Sequence, residues 1–392
     1  IGDMNLPISR SLRELFDLAL DHSAAERDAL LAALDAADAE LAKRLRRLLD
    51  QHEKHLHSVT RVAEGALAES DAPLPPPVER VGPWRLVEEI GRGGMGRVYR
   101  AVREGDDVQQ EVAIKLVRRD LLDENLLRRF STERQVLAAL DHPSICRFID
   151  SGVLDDGTPF VVMERVRGED LLAWCDARRL GIDARLHLFE AVLDAVAHAH
   201  RALVVHRDIK PGNVMVDAES RPKLLDFGIA KRLAPGSEGH TVTTDRMFTL
   251  AHAAPEQIRG EAVGTACDVY GLGALLYELL AGVPPFSVGD SLAGEFERRI
   301  LDTPPPRMSE TVAADDLQRT HARGLRRPRE LRRALHGDLD LIVQRCLRKQ
   351  PQERYASVEA LALDLQRWHD GRPISGRVGE RMYRLRKFLG RH

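Results

Sequence analysis

His206-Arg207-Asp208-Ile209-Lys210-Pro211-Gly212-Asn213 and, eighteen residues after Asp208, Asp226-Phe227-Gly228 decide how this chain is read. Either run alone could be accidental. Together they supply a carboxylate able to accept a proton (Asp208), a lysine two residues on (Lys210) and two hard oxygen ligands (Asn213 and Asp226) of the kind Mg2+ prefers. Two further runs precede them: Gly91-Arg92-Gly93-Gly94-Met95-Gly96-Arg97-Val98 and Val112-Ala113-Ile114-Lys115. Glycines at 91, 93 and 96 let a backbone approach a phosphate where a Cβ would hold it away. Alone, such a glycine pattern is weak, because dinucleotide-binding folds share it, but there the loop opens a helix. Here a strand with Val98 and Tyr99 follows, and then Lys115.

In this order the four runs make up the signature set of protein kinases. The chain resembles the bacterial serine/threonine protein kinases of the eukaryotic-like (Hanks) type over about residues 81–370. The resemblance implies an α+β, bilobal fold with a small β-rich lobe (81–165) and a large helical lobe (166–370). It also implies transfer of the ATP γ-phosphoryl group to Ser or Thr, with Mg2+ (or Mn2+ in its place) as the metal. Asp208 is then the base, Lys210 neutralises charge on the transferred group, and Lys115 holds phosphates while pairing with Glu133 on the helix that follows, Glu124 being the weaker alternative because it precedes the periodic segment. Asn213 and Asp226 become the metal ligands. Ile90, Gly91, Gly93, Gly94, Gly96, Val98 and Ala113 would line the nucleotide, with Met163, Glu164 and Val166 as gatekeeper and hinge and Glu169 or Asp170 near the ribose.

The remaining implied roles are structural or regulatory. Arg207, beside the base, would receive a phosphate on the activation segment, where Thr241, Thr243 and Thr244 are the candidate sites, so that autophosphorylation acts as the switch. Thr249 would bridge Asp208 and Lys210. His206 and Phe227 would pack together, Glu256 of Ala254-Pro255-Glu256 would pair with Arg354, and Asp268 would hold the catalytic loop. One stretch departs from the family: the usual Gly-Thr-Pro-x-Tyr before Ala254 reads Phe248-Thr249-Leu250-Ala251-His252. That leaves catalysis intact and puts peptide preference in question.

Composition fits this reading. The chain has 392 residues, a net charge of −3, 43% hydrophobic and 30% charged residues, so bulk charge gives no reason to expect nucleic acid. Four dispersed cysteines form no CxxC pair and suit a reducing, cytoplasmic setting. No apolar run reaches the roughly 18 residues of a membrane span, and no signal peptide is visible. Ile1-Gly2-Asp3 reads as a remnant ahead of a start at Met4.

Outside the resemblance, residues 1–72 read as a helical module. Leu12, Leu15, Phe16, Ala19 and Leu20 share a face, Ser23-Ala24-Ala25-Glu26 is a capping box, and Leu30, Leu31 and Leu34 follow at helical spacing. His52, His55 and His57 read as a solvated helix end rather than a metal site. Residues 73–80, with Pro73-Leu74-Pro75-Pro76-Pro77, read as an extended linker. Residues 302–335, rich in Pro, Arg and polar groups, read as a mobile insertion in the helical lobe. The basic end, 371–392, carries seven Lys/Arg against one Glu and could lie at an anionic membrane surface. Similar kinases continue from there into a transmembrane helix, which raises inner-membrane tethering and a longer parent chain; dimerisation is common among them. Protein substrates and the chain itself are the implied partners. The alternatives are a catalytically weak, ATP-binding scaffold, which loss of Lys115, Asp208 or Asp226 would favour, and a small-molecule phosphotransferase of kinase-like fold, which generally lacks the complete glycine loop and the Ala-Pro-Glu closure.

Overall fold

Alternating apolar residues build the first layer. In the computed structural model, which describes residues 34, 78–93, 96–103, 110–118, 140–227, 250–287 and 293–375, six strands form an antiparallel sheet. They are β1 (Arg80–Val81), β2 (Trp84–Gly93), β3 (Gly96–Arg103), β4 (Glu111–Val117), β5 (Phe148–Val153) and β6 (Pro159–Glu164), in the order β1-β2-β3-β4-β6-β5. Val112, Ile114 and Leu116 of β4 join Trp84, Tyr99 and Val162 in one core. The period of two sends Ala113 and Lys115 to the opposite face, where register sets Val98 and Val161 beside Lys115 and Met163 beside Ala113.

Gly96 is glycine for a reason internal to this sheet: its φ is +154°, and a Cβ there would lie 2.0 Å from the Leu116 carbonyl oxygen. Gly91 and Gly93 differ. An added Cβ would meet Val98 at an ordinary 3.6 Å in the first case and nothing within 4 Å in the second.

A second sheet, β7 (Gly168–Asp170), β8 (Val214–Asp217) and β9 (Pro222–Leu224), carries the loops between the lobes. It was not foreseen from the sequence. Helices α1 (Leu171–Ala177), α2 (Ile182–Arg201), α3 (Pro255–Ile258), α4 (Thr265–Ala281), α5 (Ala293–Asp302), α6 (Leu317–Ala322), α7 (Pro328–Leu335), α8 (Asp338–Cys346) and α9 (Val358–His369) make the large lobe. Helix α4 is apolar nearly all round, and from Cys267 to Leu276 every residue is buried, as expected of a helix enclosed by others. Gly273 lets α8 approach it, since a Cβ there would sit 2.3 Å from the Cys346 Cβ.

Residues 302–335 correct an expectation. They pack as part of the lobe rather than as an insertion outside it: Met308, Val312, Leu331 and Leu335 lie in the main core, and Thr320 and Arg323 are buried. Their arginines are absorbed by backbone. Arg323 donates to the Leu280 and Leu279 carbonyls at the end of α4, and Arg319 donates to the Ala281 and Thr311 carbonyls. Guanidiniums thus satisfy the carbonyls that a helix C-terminus leaves unpaired.

Leu34 is helical and buried. The rest of the expected helical module, Gly94, the helix bearing Glu133, the phosphosite candidates, Thr249 and the chain after Ser375 lie outside the described residues. No described helix is long and apolar enough to cross a membrane.

Candidate active site

The loop with Asp208 is fixed from behind. Asp268, in the first turn of α4 and 1% exposed, accepts the amides of His206 and Arg207, each at 2.8 Å, and meets His200 Nε2 at 2.7 Å. Arg207 takes the left-handed φ of 66° there. Such a backbone is held by its surroundings rather than by its own preference.

His206 is buried, and burial pushes its imidazole pKa below the usual value. Its Nε2 faces the Leu225 carbonyl at 2.8 Å, which requires a proton on Nε2, and the bare Nδ1 then accepts the Asp208 amide at 3.3 Å. Its ring lies 4.7 Å from that of Phe227. One neutral histidine therefore ties the loop of Asp208 to the segment of Asp226.

Asp208 meets the side chains of Lys210 and Asn213. Lys210 Nζ is 3.1 Å from its Oδ2. Asn213 donates Nδ2 to the Asp208 carbonyl at 2.7 Å and to its Oδ2 at 3.0 Å, so its side-chain oxygen is the atom left to meet a cation. The Asn213 carbonyl accepts the Leu225 amide at 2.8 Å, which sets Asn213 next to the run ending in Asp226. Asp226 has a φ of 47° and accepts Lys115 Nζ on Oδ2 at 2.6 Å. That contact spans the cleft from β4 to the large lobe. Among the described residues no group of three or more His, Cys, Asp or Glu could cage a metal. Asn213 and Asp226 carry hard oxygens of the kind Mg2+ takes, in small number, beside water and phosphate oxygens.

Met163, next to last in β6, pairs with Ala113. The Glu164 carboxylate turns away to Lys223 at 3.0 Å and to the Arg147 amide at 3.1 Å, while its carbonyl accepts the weak Cys146 thiol donor at 3.3 Å. The half-buried Val166 amide has no acceptor among the described residues. Arg165 and Arg167, either side of Val166, both bind Glu111, and these bonds, Arg167 first, bring the Glu111 carboxyl down to about 2. This clasp was not legible in the sequence, since nothing in spacing marks Glu111. Asp170 caps α1, accepting the Leu172 and Ala173 amides at 2.8 and 3.2 Å, and Glu169 pairs with Arg178 at 3.2 Å.

Glu256 and Arg354 form a buried bidentate pair at 2.6 and 2.7 Å. Gln257, which sequence reasoning passed over, accepts the Ala254 amide at 3.0 Å and donates to the Arg207 carbonyl at 2.7 Å. It thereby links the Ala-Pro-Glu turn to the loop of Asp208. His252, where the family usually has tyrosine, meets Glu278 at 2.8 Å.

The family model described as protein kinase domain matches residues 84–365. The chain is 34% identical over 298 residues to a probable serine/threonine-protein kinase, SCO3848 of Streptomyces coelicolor, an alignment that covers 75% of this chain and 41% of that protein. It is 33% identical over 297 residues to the serine/threonine-protein kinase PknB of Mycobacterium tuberculosis, covering 74% and 43%. The chain thus spans about two fifths of the length of these relatives. The crystal structure of the Mycobacterium tuberculosis PknI kinase domain superposes with a TM-score of 0.53 at 26% identity, over 75% of this chain and 99% of that one. With the match to the family model spanning most of its length, the chain belongs to the protein kinase domain family, among the bacterial serine/threonine protein kinases of Hanks type.

Proposed function

We propose that this chain transfers the γ-phosphoryl group of ATP to serine and threonine hydroxyls of proteins, itself included. The single observation that carries the reading is the cluster around Asp208, with Lys210, Asn213 and the Lys115–Asp226 bridge converging on one cleft. Asp208 orients the acceptor hydroxyl and takes its proton late; a carboxylate is too weak a base to do so early. Lys210 places positive charge beside that oxygen, and Lys115 holds phosphate oxygens. Catalysis of this kind is positioning plus electrostatics.

Nucleotide binding is supported by two features. The Val166 amide and the Glu164 carbonyl offer a donor and a weakly engaged acceptor at the hinge, a match for an adenine edge. Gly91 and Gly93 need not be glycine for the fold's own packing, and a close-lying phosphate gives the reason. Asn213 and Asp226 would hold Mg2+, or Mn2+ by the same hard oxygens, and the bound ion supplies charge that offsets the phosphates. Glu133 would orient Lys115.

Arg207 has a buried Nε with no partner among the described residues. A phosphate on Thr241, Thr243 or Thr244 would give it one, in keeping with a phosphorylation switch. We divide the chain into a module (1–72), linker, kinase domain (81–370) and basic tail. Dimerisation and membrane tethering rest on the resemblance alone. The test is product mapping: after incubation with ATP and Mg2+, mass spectrometry should find phosphoserine or phosphothreonine on the chain, within 229–249, and on an added protein substrate. Phosphate only on a small molecule would overturn the reading.

A further inference from the structure

Away from the catalytic cleft, the end of α4, the end of α1 and helix α6 border an open cavity of about 550 Å3. Arg179, Arg319, His321 and Arg323 line it, with Asp176 as the carboxylate among them. Behind its wall, Arg185 is fully buried and donates to Asp176 at 2.7 Å; Arg323, also buried, reaches the same carboxylate at 3.4 Å. One half-exposed carboxylate thus serves two buried guanidiniums. Arg319 is paired with Asp316. Arg179, exposed at the rim, makes no side-chain bond among the described residues.

Four guanidiniums thus share two carboxylates, and Arg185, Arg319 and Arg323 also donate to backbone carbonyls, among them those of Leu279, Leu280 and Ala281 at the end of α4. The carbonyl end of α4 offsets only about half a charge, so positive charge stays in excess. Burying charge without full compensation is costly. Burial, with Arg185 beside it, brings the Arg323 guanidinium down to about 10. An anion in the cavity would supply counter-charge.

We propose that this cavity binds a phosphate group. Phosphate fits better than a carboxylate because the Arg179 guanidinium, unengaged among the described residues, can match its oxygens in pairs beside the positive charge of Arg319 and Arg323, and the volume admits a phosphate ester rather than a single small ion. The residues that create the site, Arg319 and Arg323, come from the 302–335 segment. The group could be borne by a protein, as phosphothreonine, or by a small phosphate compound.

Calorimetric titration at fixed ionic strength separates the cases. The catalytic cleft is first filled with a saturating non-hydrolysable ATP analogue and Mg2+. The probes are inorganic phosphate, a phosphothreonine peptide and its unphosphorylated twin. One-to-one binding of both phosphate probes, with the twin silent, assigns the site to protein-borne phosphate. Binding of inorganic phosphate alone assigns it to a free phosphate compound. Arg179→Gln, a rim change that touches no core contact, should weaken binding about tenfold, the order expected for one charge-assisted contact. Asp176→Asn, which removes a competing negative charge, should tighten it. No binding of either phosphate probe, or an affinity indifferent to both substitutions in chains that melt like the parent, overturns the proposal.

Discussion

Replacing Arg354 with methionine should cost the kinase fold a large part of its stability. The guanidinium is fully buried and holds both oxygens of Glu256, whose side chain is 4% exposed. It also donates to the carbonyls of Ala266 and Arg348, each at 2.8 Å, and of Lys349 at 3.1 Å, and lies 5.0 Å from the Tyr270 ring centre. Methionine keeps most of the volume but leaves a carboxylate and three carbonyls without their donor. Breaking one partner of a buried pair costs about 3–5 kcal/mol. At about 2 °C per kcal/mol in a domain of this size, melting should fall by about 6–10 °C. The double change Glu256→Met with Arg354→Met removes the stranded charge and should melt above the single variant. Thermal denaturation followed by circular dichroism reads both. A fall under about 2 °C for Arg354→Met, or a double variant melting below the single one, would refute the claim that the uncompensated charge dominates.

Three further outcomes follow from other contacts. Leu203 is 89% exposed at a left-handed φ of 60°; that backbone costs a leucine about 1–2 kcal/mol, partly offset by the flexibility glycine adds to the unfolded chain, so Leu203→Gly should raise the denaturant midpoint by the equivalent of up to about 1 kcal/mol, and a loss would contradict the strain. Gly273→Ala should destabilise by about 1–3 kcal/mol through the Cβ clash with Cys346, and a chain melting unchanged would show that α8 can shift freely. Lys349, which donates to the Ile300 carbonyl and sits 4.5 Å from the Phe286 ring centre, is brought by burial from 10.5 to about 8. Between those values the unfolded chain binds more protons than the native one, so stability should rise with pH across that window, the penalty being fully present below about 8; comparing Lys349→Met with the parent at about pH 7, 8.5 and 10 should show the parent gaining on the variant, and parallel curves would contradict it.

Much of the fold was legible because its signals are local. Alternation in Val112–Val117 marks a buried strand, and the apolar run of α4 marks an enclosed helix. The motif residues are chemically distinctive at short spacing, so Asp208, Asn213 and Asp226 could be named before their contacts were seen. What escaped depends on pairings distant in sequence. Pro- and Arg-rich 302–335 looks like surface because composition counts arginines without saying where their donors go, and here they close the end of α4. Gln257 reaches Arg207 across fifty residues, and Glu111 holds Arg165 and Arg167, either side of Val166, from another strand. Gly96 reads in sequence as a phosphate cradle, whereas the approach of Leu116 alone requires it.

The most direct measurement of kinase chemistry through Asp208 is phosphate incorporation from labelled ATP with Mg2+ into the chain and a generic Ser/Thr substrate, with Asp208→Ala run alongside and ATP binding measured for both. Incorporation by the parent, loss of most turnover in the variant and ATP binding retained in both are the expected results. Equal incorporation by the two chains, or ATP binding without incorporation by either, would contradict the assignment of Asp208 as the base of a working kinase.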